Sequence, residues 1–169
     1  MFTVEKTREV NLTVVNGILE AAVTLGEPRG FKAALVAYGV RALPIVEPTS
    51  NWAVIQRAYD ELPLLGKSPN LAEALKETLE LVRDTEPPLE PAQTIVVWSA
   101  AVRPGREADL LVKALESIGV KVDIVVTRPS PPGWIKYNPV VAEKIVTVRS
   151  NTNLTRLYEK LVTVHPRAV

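Results

Sequence analysis

Residues 31–46, FKAALVAYGVRALPIV, decide the architecture of the chain. Phe31 to Tyr38 is almost continuously apolar, as expected of a strand buried on both faces of a sheet. Gly39 then turns the chain straight into Arg41 to Val46, where Pro44 has no N–H to give to a ladder and so marks an edge strand. So short a connection fits an antiparallel hairpin. Every other pair of predicted strands leaves room for a crossover helix, which makes the rest of the sheet parallel.

Upstream, Phe2-Thr3-Val4 is a short strand, and Val10, Val14, Ile18, Ala22 and Leu25 recur at helical spacing. The rival reading of Val10-Leu12-Val14 as an alternating strand loses to a stripe that continues to Leu25. Gly26-Glu27-Pro28 stops that helix. Downstream, Thr49 or Ser50 caps a helix through Trp52, Ile55, Tyr59 and Leu62. Leu64 to Lys67 is a loop, and Ser68-Pro69 opens a helix with Ser68 as N-cap and the stripe Leu71, Leu75, Leu79, Val82. Thr85 to Pro91 (TEPPLEP) is a connector, too short to link domains. Thr94 to Trp98 (TIVVW) is the strongest strand signal, and Pro104-Gly105 separates it from a helix over Glu107 to Ser117 that ends at Gly119. A buried strand over Val120 to Thr127, a proline-rich loop over Arg128 to Pro139, a strand over Ile145 to Val148 and a helix over Asn153 to Val164 complete the chain. No internal repeat is present. The expected fold is a three-layer α/β/α sandwich with a Rossmann-like, mostly parallel six-stranded sheet and one antiparallel edge strand.

The length of 169 residues fits one domain, residues 1–169. Hydrophobic residues at 47% and charged residues at 23% exclude a disordered chain. A net charge of +1 and a pI of about 8.0 give no global basic field for nucleic acid or anionic membranes. The absence of cysteine excludes a disulfide scaffold, a thiolate zinc site and a cysteine nucleophile. Glu5, Lys6, Arg8 and Glu9 break up the N-terminus, which is no signal-peptide core, and no apolar run reaches the ~18–20 residues a bilayer requires. A cytoplasmic protein is expected, so Asn11-Leu12-Thr13 and Asn153-Leu154-Thr155 are read as chance matches to glycosylation acceptors. No cysteine, one methionine, glutamine only at Gln56 and Gln93, and 14 prolines make the composition thermophile-like.

Three stretches carry a resemblance that covers nearly the whole chain: residues 31–46 after a first helix; residues 66–82, GKSPNLAEALKETLELV; and residues 94–127, TIVVWSAAVRPGREADLLVKALESIGVKVDIVVT. Together they resemble the von Willebrand factor A (vWA) fold. The second is similar to the family's Gly-x-Thr-Asn-Leu-x-x-Ala-Leu segment, the third to its strand, Asp-Gly and following helix. The resemblance implies a metal-ion-dependent adhesion site where loops meet at the carboxyl ends of the strands, with oxygen ligands for a hard cation, commonly magnesium. Those ligands come from an Asp-x-Ser-x-Ser loop, a Thr and a second Asp. Here the loop reads Glu5-Lys6-Thr7-Arg8-Glu9, Pro69 stands at the Thr position beside Ser68 and Asn70, and Ser99-Ala100 replaces Asp-Gly. Glu5 is one carbon longer than Asp, Arg8 adds positive charge, and Ser99 supplies no carboxylate. The expectation is a degenerate site with no metal and no cofactor.

Catalysis finds little to work with. The four aspartates are Asp60, Asp84 and Asp109 on helices and Asp123 in a strand, and the single histidine, His165, follows the last helix. A Ser-His-Asp triad would need improbable geometry. Ser99 follows a strand but lacks the glycines of a nucleophile elbow, and no GxGxxG or GxxxxGK[ST] follows any strand. Arg103, Arg106, Lys113, Lys121, Arg128 and Lys136 are interleaved with Glu107, Asp109 and Glu116, which reads as a solvated face and not a nucleic-acid track. Trp134 and Tyr137 sit in a loop where no periodicity demands apolar side chains, so they either cover the sheet edge or form an aromatic contact patch.

The expected function is a non-catalytic protein–protein interaction or scaffold module that binds another protein, with no membrane contact and nucleic-acid contact only as part of a complex. The alternatives are a small enzyme or nucleotide-binding protein on the same sheet, and an accessory subunit of a nucleic-acid-processing assembly. The candidate surface comprises Glu5, Thr7, Ser68, Asn70, Ser99, Arg103, Arg106, Trp134 and Tyr137.

Overall fold

The computed structural model describes residues 1–25, 32–85 and 92–163. The Gly26-Glu27-Pro28 stop, Phe31, most of the TEPPLEP connector, Val164 and His165 lie outside them. Among the described residues six strands form one sheet in the order β3-β2-β1-β4-β5-β6. They span Phe2–Glu5 (β1), Ala33–Tyr38 (β2), Ala42–Thr49 (β3), Ala92–Trp98 (β4), Val120–Val126 (β5) and Ile145–Thr147 (β6). β3 alone runs antiparallel, paired to β2 with Val36 opposite Pro44. The other four pairings are parallel. The hairpin needs Gly39, because a Cβ there would lie 1.9 Å from the Leu65 carbonyl oxygen.

Strand residues alternate between two cores. Ile95 and Val97 face the helices Leu12–Leu25 (α1), Ala53–Glu61 (α2) and Leu154–Thr163 (α6). Val96 and Trp98 face Leu71–Asp84 (α3), Glu107–Ser117 (α4) and Pro139–Glu143 (α5). This explains why Ile95 to Trp98 in β4 is apolar without interruption. Thr3, on the α3 side, is buried yet satisfied: its hydroxyl lies 2.7 Å from that of Thr78 and 2.9 Å from that of Thr94.

Helix boundaries depart from the sequence reading where capping decides them. α1 begins at Leu12, not Val10, because the Asn11 Oδ1 accepts from the Thr13 and Val14 amides. Val10 is buried ahead of the helix. β3 continues to Thr49, so neither Thr49 nor Ser50 caps α2. Trp52 occupies that position without a side-chain cap, and the Thr49 hydroxyl accepts from the Asn51 amide. Asn70, not Ser68, caps α3: its Oδ1 accepts from the Glu73 amide at 3.1 Å. The Asn70 amide donates to the Gly39 carbonyl, which anchors the chain just before the helix starts. The stretch read as a loop from Arg128 to Pro139 holds a 3-10 helix, Gly133–Tyr137, and runs into α5. α5 opens at Pro139, with the Val141 amide bonded to Asp109 Oδ1 on α4.

Candidate functional site

Parallel strands deliver their exit loops to one edge, and hydrogen bonds tie those loops together. The Lys6 carbonyl accepts from the Leu65 amide, and the Leu65 carbonyl from the Val40 amide, both at 2.8 Å. The Thr127 amide reaches the Trp98 carbonyl, and Arg128 Nη1 the Ala100 carbonyl. Asn138 Nδ2 donates to the Gly105 carbonyl at 2.9 Å.

Glu5 is the centre of this edge. It ends β1, is fully buried, and uses both carboxyl oxygens internally. Oε1 accepts from the Ser99 amide at 2.8 Å, and Oε2 from the Thr7 hydroxyl at 2.5 Å. The Thr7 oxygen in turn accepts from the Glu9 amide, and the Ser99 hydroxyl from the Ala101 amide. Burial pushes the Glu5 carboxyl above its ordinary range, while the Thr7 and Ser99 hydrogen bonds oppose that shift. The Tyr59 hydroxyl donates to the Glu5 carbonyl at 2.5 Å. Lys6, also buried, places Nζ 3.2 Å from the Tyr59 carbonyl and 4.4 Å from the centre of its ring.

The structure therefore brings Glu5, Thr7 and Ser99 into one hydrogen-bonded group. Ser68 and Asn70 are exposed beside it, with the Asn70 side chain committed to its cap. Trp134 is half-buried, its ring centre 6.1 Å from that of Trp98, so it covers the core of the α3 side. Tyr137 is 70% exposed. Lys6 and Tyr59 join this group with no local signal in the sequence to mark them: Tyr59 reads as one more residue of a helical stripe, and its hydroxyl reaches a strand 54 positions away. Ala100 is another position the sequence conceals, a buried non-glycine residue at φ 58°.

These donors do not fit a divalent cation. Each Glu5 oxygen already takes a donor from the chain, Ser99 and Ala100 bring no carboxylate, and Pro69 brings no side-chain oxygen. Among the described residues no three His, Asp or Glu side chains are grouped to hold a metal. Nor does any described helix have the length and apolarity to cross a membrane.

No family model and no curated protein matches the sequence. Solved structures do match the fold. An aerotolerance-related membrane protein from Bacteroides fragilis aligns with TM-score 0.73 and 11% identity over 97% of this chain and 98% of its own. The SpRpn10 VWA domain aligns with TM-score 0.69 and 12% identity over 95% of this chain and 93% of its own. The manganese-loaded TRAP protein of Plasmodium vivax aligns with TM-score 0.67 and 10% identity over 96% of this chain and 69% of its own. The sheet order, the single antiparallel edge strand and these alignments define a vWA-like α/β sandwich.

Proposed function

We propose that this chain is a non-catalytic protein-interaction module that binds its partner at the carboxyl edge of the sheet, without a metal ion. The observation that carries this reading is the commitment of Glu5. The one carboxylate at the centre of the edge is sealed by Thr7 and Ser99, which leaves neither an open ligand set nor a free acid–base pair. Aromatic and basic side chains stand exposed around it, a mixture suited to contact with a protein surface. A small enzyme or nucleotide-binding protein on this sheet has less support, since no glycine-rich phosphate loop follows a strand.

The test is affinity capture from a lysate of the source organism in excess EDTA, with the partner then purified and titrated. Binding should persist in EDTA, weaken in Arg103→Glu and survive Ile118→Arg, which alters the amino edge next to the start of β5. Melting curves establish that the variants are folded. A partner that needs a divalent cation, one lost only with Ile118→Arg, or the absence of any edge-dependent partner would overturn the reading.

A further inference from the structure

The two segments that leave β4 and β5 at this edge, residues 99–106 and 127–138, contain no acidic residue. They carry Arg103, Arg106, Arg128 and Lys136, all exposed. The Arg128–Ala100 and Asn138–Gly105 hydrogen bonds join the two segments into one surface. In the sequence this positive charge looks diluted by Glu107, Asp109 and Glu116. The structure takes one of those three away from this surface and turns a second aside. Glu116 pairs with Lys144 at 2.8 Å, close to the far end of α4, and the half-buried Asp109 carboxylate is directed at the Val141 amide, while Glu107 stays exposed at the start of the helix. Since the whole chain carries only +1, the rest of the molecule has the opposite balance, and the basic character is local.

Apolar groups stand within the same surface. Tyr137 is 70% exposed, with Lys136 Nζ 5.4 Å from its ring centre. Val102 is 38% exposed beside Arg103, and Leu110, one helical turn after Arg106, is 66% exposed. Phosphate and base stacking would engage the arginines and the tyrosine but have no use for exposed aliphatic side chains. Acidic side chains interleaved with apolar ones would engage all of them.

We infer that the partner is a protein that presents an acidic segment with interleaved aromatic or leucine side chains, docked across the β4 and β5 exit segments. This inference rests on the interaction reading above and adds the chemistry of the partner. The probe is a fluorescently labelled synthetic peptide alternating Asp or Glu with Leu and Phe. Its controls are a peptide of the same apolar residues with Lys in place of the acids, and a single-stranded oligothymidylate of equal charge. Fluorescence anisotropy at low and high salt should show binding of the acidic peptide alone, screened by salt. Affinity should fall at least tenfold in the double variant Arg103→Glu, Arg106→Glu and severalfold in Tyr137→Ala, with both variants melting as the wild type does. Equal binding of the acidic peptide to wild type and double variant, no binding to either, or tighter binding of the oligonucleotide overturns the inference. If that happens while a captured partner still depends on the edge, the interaction reading stands and only the partner's chemistry is wrong.

Discussion

At the carboxyl edge of the sheet, Glu5 is fully buried while Tyr137, at the β5 side of the same edge, is 70% exposed. The edge thus has an inner and an outer layer made of similar chemistry. The inner layer, Glu5, Lys6, Thr7, Tyr59 and Ser99, uses its polar groups on the chain itself and knits β1, α2 and the β4 exit together. The outer layer, Arg103, Arg106, Arg128, Lys136 and Tyr137, is exposed. A polar residue at a sheet edge therefore says little until its burial is known. Substitution separates the layers: inner changes cost stability, outer changes cost binding.

The largest effect belongs to Glu5→Ala. It strands the buried Ser99 amide and Thr7 hydroxyl and opens a void. Hydrogen bonds to charged groups contribute about 1.5–3 kcal/mol each, and relief of the buried carboxylate offsets part of that loss, so ~2–3 kcal/mol is expected in urea unfolding. Glu5→Gln is the sharper variant, because an amide can accept from Ser99 and donate to Thr7 without a charge. The folded carboxyl is raised above its unfolded value, so the folded state holds that proton more tightly. Its contribution to stability is present below the ordinary carboxylate range and is lost as pH rises through the raised folded value. Glu5→Gln should abolish that component, so the stability difference between variant and wild type should shift in the variant's favour as pH rises above the ordinary carboxylate range. A difference that stays flat with pH would show that Glu5 is not held as described.

Next comes Tyr59→Phe, which removes the hydroxyl bonded to the Glu5 carbonyl and should cost about 1–2 kcal/mol. Chemical denaturation checks it, and an unchanged midpoint would remove Tyr59 from the inner layer. Trp134→Ala lies between the layers. Its half-buried ring packs on Trp98, so a loss of roughly 1–2 kcal/mol is expected. Arg103→Glu should stay within ~0.5 kcal/mol of wild type in the same assay. A Trp134 variant as stable as that one would move Trp134 to the outer layer.

The sheet was legible in the sequence because its information is local. The Gly39 turn, Pro44 and the unbroken Ile95–Trp98 run of β4 each restrict a strand through its own backbone or its own two faces. Helix starts were less legible, since Asn11 and Asn70 compete with neighbouring candidates and the winner is decided by which amide the side chain reaches. The site was legible in part. Glu5, Thr7 and Ser99 follow from strand ends in a parallel sheet, whereas Tyr59 reaches Glu5 only through the packing of α2. The pairing of Glu116 with Lys144 away from the basic surface, and the turning of Asp109 toward the Val141 amide, are likewise tertiary facts, which the linear interleaving of charges conceals.

The smallest expected effect concerns divalent cations. A specific site stabilises by RT ln(1 + [L]/Kd), so a thousandfold excess over Kd adds about 4 kcal/mol. For a chain of this size that raises Tm by roughly 8–16 °C. Here an ion would first have to displace the Ser99 amide and the Thr7 hydroxyl from Glu5, then find its remaining oxygen ligands without a second carboxylate. Thermal unfolding in EDTA, in magnesium and in calcium should therefore superimpose within about 1 °C, far below that range. A magnesium-dependent rise reversed by EDTA and absent from Glu5→Ala would mean that the inner layer opens to take an ion. The two layers of the edge would then be one site, and the contrast between them would fail at its centre.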